Sequence, residues 1–284
     1  MKKLFLLYFV LFGCLSTAFT QGLAVQVSGK GPKIILIPGL ASSGEVWDET
    51  VAELSKNHEC HVLTLPGFGT NPKIVMPNGF LSTMESLITD YINTQAEKVT
   101  LIGHSLGGFL SLKLSRSLPD KISRAIIVDS FPFYSAAFNP AATEENMVAM
   151  ATQMKQLMIA QSPEQYRAQQ EASMPMMTTN KEKLPNAVSW SLESDRETTG
   201  QALYELMTAD FRDELADVTT PILVLGAWHS GKAYGLTEES AKKTFESQYQ
   251  LANNVQIEMA PTAHHFIMWD NPEWFIEKVS AFIK

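Results

Sequence analysis

Short apolar runs rich in β-branched residues alternate with helix-length segments along nearly the whole chain. The runs are 34–37 (IILI), 61–65 (HVLTL), 99–102 (VTLI), 125–128 (AIIV), 222–225 (ILVL) and 255–259 (VQIEM); the segments between them include 46–57, 83–95, 106–118, 238–251 and 274–283. Most runs are apolar at every position, as a parallel strand covered on both faces requires. This alternation predicts an α/β domain with a mostly parallel central sheet and helices on both faces. Residues around Val25 add a candidate edge strand.

The strand signal stops from Phe133 to about Gly200. Met147, Met150, Met154 and Met158 fall at helical spacing there, and Pro163, Pro175 and Pro185 punctuate further helical pieces. So long a stretch does not stay structureless inside a compact domain. Residues 133–200 are therefore expected to form a helical cap inserted into a core made of 21–132 and 201–284.

The chain of 284 residues is 45% hydrophobic, enough for one large core. Its net charge of −8, without basic runs, argues against nucleic acid or anionic membrane surfaces as partners. It opens Met-Lys-Lys and then runs uncharged from Leu4 to Leu15, the pattern of a secretory signal peptide. A leader of 1–20 and export to the periplasm or beyond are expected. The apolar stretch is shorter than the roughly 20 residues of a membrane span. Lipidation at Cys14 is a lesser alternative, because Phe12 fits a lipobox badly. With the leader gone only Cys60 remains, which leaves no intramolecular disulfide. His58, Cys60 and His61 match no zinc spacing, so no metal is expected.

Chemistry is carried by Gly103-His-Ser-Leu-Gly107, a G-x-S-x-G stretch between the run 99–102 and a segment with Leu106, Phe109, Leu110, Leu112 and Leu114 at roughly helical spacing. Strand, tight turn and helix in that order leave Ser105 exposed at a helix N-terminus, where free N–H groups favour a developing oxyanion. Three more motifs accompany it: 37–44 (IPGLASSG) followed by Val46-Trp47, 65–69 (LPGFG), and 263–273 (AHHFIMWDNPE). In this order they resemble the α/β-hydrolase superfamily, in particular serine esterase-like members with a helical cap. Pro38 stands where that family usually has histidine.

The resemblance implies Ser105 as nucleophile, the backbone N–H groups of Leu40 and Leu106 as the oxyanion hole, and no cofactor. Counting back from Pro272 in the family pattern selects His265 as base and leaves His264 as a supporting or surface imidazole. His104, the variable residue of the elbow, is expected to pack. The acid is the departure: the family usually carries it after the strand 222–226, but the next residues are Ala-Trp-His-Ser-Gly-Lys232. Asp129, at the end of the strand before the cap, is the replacement. A dyad completed by water or a backbone carbonyl, or another carboxylate, remains open. Asp210, Asp213 and Asp217 precede their strand on its amino side, the wrong end of the sheet. Trp228, His229 and Lys232 fill the rim vacated by the usual acid, either meeting substrate or capping the strand.

The expected reaction is hydrolysis of a small, hydrophobic ester through an acyl-enzyme. The cap methionines suit an adaptable apolar wall or simply the core of the cap. An aminopeptidase or amidase would need an acidic anchor, for which Glu144, Glu145, Glu164 and Glu171 are available. A carbon–carbon bond hydrolase would share the triad, and a ligand-binding protein on a retired hydrolase scaffold would tolerate loss of the acid.

Overall fold

The computed structural model describes residues 16–20 and 22–284. One sheet of eight strands organises it: β1 (Ser16–Thr20), β2 (Leu23–Gly29), β3 (Lys33–Ile37), β4 (Glu59–Thr64), β5 (Val99–His104), β6 (Ile122–Val128), β7 (Ile222–Gly226) and β8 (Val255–Met259). Their spatial order is β1-β2-β4-β3-β5-β6-β7-β8, and β2 pairs antiparallel with both β1 and β4 while every later pairing is parallel. The first fifteen residues of the leader assigned to 1–20 lie outside the described residues, and its last five form β1.

Alternation along each central strand feeds two separate cores. Ile35, Ile37, Leu101, Ile127 and Val224 face one side, where α2 (Phe80–Asn93), α3 (Leu106–Ser117) and α8 (Glu238–Gln248) cover them. Ile34, Leu36, Ile102, Ile126 and Leu225 face the other, under α1 (Asp48–Leu54) and α10 (Pro272–Phe282), with α9 (Ile267–Asp270) leading into α10. Both faces are covered by apolar side chains, as the unbroken hydrophobic runs require.

Between β6 and β7 the chain leaves the sheet and builds four helices: α4 (Glu144–Ala160), α5 (Pro163–Ser173), α6 (Leu184–Glu193) and α7 (Arg196–Thr208). A capping box starts α4, with Thr143 Oγ1 accepting from Asn146 N–H at 3.1 Å and Asn146 Oδ1 accepting from Thr143 N–H at 2.9 Å. Ser162 and Gln165 repeat the device at α5, with Pro163 in its first turn. The helices have a small core of their own in Phe133, Ala136, Ala142, Met147, Ala151 and Met207. Helix α7 also carries Glu205, whose carboxylate accepts from Phe80 N–H and Leu81 N–H, each at 2.7 Å, at the positive end of α2. No helix among the described residues is long and apolar enough to cross a membrane.

Candidate active site

Strand β5 ends on His104 and α3 begins on Leu106, so Ser105 alone makes the turn. Its φ of 53° lies in the left-handed region that a side chain disfavours. Hydrogen bonds hold it there: Ser105 N–H donates to Val128 O at 2.9 Å, and Ser105 O accepts from Gly108 N–H at 2.8 Å and Phe109 N–H at 3.1 Å. The flanking glycines are steric necessities, since a Cβ on Gly103 would strike the Gly107 carbonyl and one on Gly107 the Ile37 carbonyl.

Asp129 follows the last residue of β6 with φ 45°. Its N–H donates to Leu225 O at 2.8 Å, Oδ1 accepts from Ala227 N–H at 2.8 Å, and Oδ2 stands 2.6 Å from His265 Nδ1. The loop after β7 thus supplies a backbone donor, where the family usually has a carboxylate, and that donor orients an acid reaching across from the neighbouring strand. The chain is clamped just beyond, where Tyr249 OH donates to Ser130 O at 2.8 Å. Burial, then the Asp129 charge, raises the Tyr249 pKa well above the usual phenol value, so this donor keeps its proton.

Ala41 (φ 52°), Ser105 and Asp129 are the non-glycine residues with positive φ among the described residues, and all three line one cavity. Backbone strain concentrated around a single pocket is a mark of a functional site. The cavity also takes in Leu40, whose N–H, like that of buried Leu106, has no hydrogen-bond acceptor among the described residues. Two unpaired amides flanking a strained serine can receive negative charge on a substrate oxygen.

His104 does more than fill space. It is buried, its Nε2–H donates to the His265 carbonyl at 3.0 Å, and its ring centroid lies 4.4 Å from that of His265. Burial first, and His265 second, hold its pKa well below the usual histidine range, so it stays neutral beside the His265 ring. His264 sits differently: its N–H donates to Asp270 Oδ2 at 2.8 Å, and its ring lies 5.8 Å from that of His229, outside the cavity wall. Asp270 also accepts from Thr178 Oγ1 at 2.6 Å and Thr179 N–H at 2.9 Å, tying the cap to the histidine loop.

Trp228 lines the cavity, with Nε1–H donating to Ala260 O at 3.0 Å, whereas His229 and Lys232 are not part of its wall. Asp210 is engaged by Arg212, Asp217 pairs with Arg116 at 3.2 Å, and neither they nor Asp213 reach the cavity. The described residues hold no cluster of three metal-ligating side chains. His61 instead contacts Tyr91 OH at 2.5 Å and Glu59 Oε1 at 2.8 Å, and burial pushes the Cys60 thiol up to about 12.

The cavity, about 580 Å³, lies between the carboxyl ends of the strands and the cap. No Lys, Arg or Glu lines it, and its one aspartate faces His265. The methionine stripe divides: Met147 is in the core of the cap, Met150 and Met154 are exposed, and Met158 lines the cavity. Met174, Met176 and Met177 line it too, with Phe131 and Phe138. Sequence spacing does not single these out, because they converge only when the cap helices pack.

Residues 34–278 match the Alpha/beta hydrolase family. Among curated relatives, a pimeloyl-[acyl-carrier protein] methyl ester esterase of Vibrio parahaemolyticus is 25% identical over 88% of this chain and 93% of its own length. The protein of the same name from Pectobacterium carotovorum is 26% identical over 90% and 96%. Among solved structures, the enol-lactonase from Burkholderia xenovorans superposes with a TM-score of 0.73 at 18% identity, covering 94% of this chain and 99% of that one. An esterase from Exiguobacterium antarcticum gives 0.73 at 18% identity over 92% and 95%. With the family match spanning strands β3 to β8 and the helices between β6 and β7, the chain belongs to the alpha/beta hydrolase family.

Proposed function

We propose that this protein hydrolyses a carboxylic ester of a small, uncharged, largely apolar substrate through an acyl-enzyme on Ser105. The observation that carries the reading is the 2.6 Å contact between Asp129 and His265 in the cavity that also takes in Ser105. Ser105 attacks the carbonyl, His265 takes its proton, and Asp129 fixes the tautomer and stabilises the imidazolium. Charge on the carbonyl oxygen is received by the N–H groups of Leu40 and Leu106. Collapse of the tetrahedral intermediate releases the alcohol, which takes the proton back from His265. Water then repeats the sequence on the acyl-enzyme. The names of the curated relatives support an ester as the bond cleaved.

An amine-recognising peptidase is less well supported. Glu144, Glu145, Glu164 and Glu171 are absent from the cavity wall, and Glu144 instead accepts from Asp210 N–H at 3.0 Å. The cap of this reading consists of the helices between β6 and β7. Export is proposed from the basic and then apolar opening. Cleavage near Thr20 would remove β1 and leave β2 as the sheet edge.

A fluorophosphonate probe tests the catalytic reading. Wild type is expected to be labelled at Ser105 and to hydrolyse p-nitrophenyl esters, while Ser105→Ala does neither. Labelling that persists in Ser105→Ala overturns it.

A further inference from the structure

The cap side of the cavity carries uncharged polar groups that the hydrolytic mechanism does not use. Tyr166 and Gln170 come from α5, Ser191 from α6 and Thr199 from α7, and all four line the cavity. None of these side chains makes a hydrogen bond to protein among the described residues, although Tyr166 is only 4% exposed and Ser191 only 6%. Thr199 Oγ1 also lacks a partner, but it has no accessible surface and so stands behind the wall rather than open to the cavity. Buried polar side chains are almost always satisfied, and a group left open on a cavity wall points to what the cavity holds. Placement is firm: the Arg196 guanidinium lies 5.6 Å from the Tyr166 ring centroid and donates to Gln161 O at 2.5 Å, and it stays outside the cavity. The polar wall therefore offers hydroxyls and one carboxamide, each able to donate and accept, and no charge.

We infer that Tyr166, Gln170 and Ser191 form a subsite for a second, uncharged hydrogen-bonding group of the substrate, such as a carboxamide or hydroxyl remote from the scissile ester. The inference rests on the hydrolase reading of Ser105 and narrows it to esters bearing such a group. A methyl in that place leaves the wall unsatisfied. A carboxylate there meets no cation, so burying it goes uncompensated. Sites built around hydrogen-bonding groups discriminate against analogues lacking them far more strongly than apolar pockets discriminate by size.

The test uses the full chain with two graded sets of straight-chain probes: p-nitrophenyl esters varied in the acyl chain, and acetates varied in the alcohol. Each set ends in a carboxamide, a methyl or a carboxylate. In at least one set the carboxamide is expected to exceed both others in kcat/KM by about tenfold or more at one chain length. In Tyr166→Phe and Ser191→Ala the carboxamide-to-methyl ratio is expected to fall towards one. A damaged cap would lower both members of that ratio together, so the ratio reads the subsite alone. Equal rates for carboxamide and methyl across both sets, a preference for the carboxylate, or a ratio unchanged in both variants overturns the subsite. Loss of all ester hydrolysis and of fluorophosphonate labelling would instead overturn the catalytic reading beneath it.

Discussion

The rim of the sheet and the cap enclose the same cavity by different means. At the rim, position is set by backbone: Ser105, Asp129 and Ala41 are held at positive φ, and the amides of Ala227, Leu40 and Leu106 aim at their targets or stand open. On the cap, position is set by side chains on helices held by capping boxes, one small apolar cluster and the Glu205 contact with α2. A backbone-built rim tolerates almost no change at its glycines and strand ends. A side-chain-built wall can change residue by residue, and so can set which substrate fits.

The largest expected effect is at the rim. Asp129→Asn should fold normally and lose about a thousand- to ten-thousand-fold in kcat, read by steady-state hydrolysis of a p-nitrophenyl ester. A loss below about tenfold would move the acceptor of His265 elsewhere and leave the rim without its acid. Next comes Gly103→Ala, where the new Cβ meets the Gly107 carbonyl, a backbone atom that cannot step aside. A loss of about 3 kcal/mol or more is expected in denaturant unfolding. A smaller effect marks the cap: Thr143→Ala should cost about 1 kcal/mol. Hydrogen exchange should rise across α4 and stay unchanged in α3; equal loosening of both would erase the distinction between the two regions. The smallest effect is a null one. Cys60 is buried in a central strand with its thiol pushed up to about 12, so its peptide should stay unmodified by iodoacetamide at neutral pH, with activity retained.

Legibility follows the same division. Strands such as 222–226 are readable because every position is apolar, and the elbow is readable because its glycines answer a local steric demand. The count that selects His265 names the ring that lies against Asp129, while His264 turns towards His229. A string of residues does not reveal that the gap after β7 is filled by an amide, because Ala227 donates through its backbone. Asp270 sits inside a quoted motif, yet its part in tying Thr178 to the histidine loop depends on a contact 92 residues away. The cap wall was least legible. Of the methionine stripe only Met158 reaches the cavity, and Tyr166, Gln170, Ser191 and Thr199 come together through helix packing that no spacing encodes.

The clamp at Ser130 has a mechanical consequence. The chain departs for the cap one residue after Asp129, so any swing of the cap would tug directly on that carboxylate. Tyr249, rooted beside α8, grips the intervening carbonyl and takes up that pull. A displacement of the cap would thus reach Ser130 before it reached the carboxylate that contacts His265.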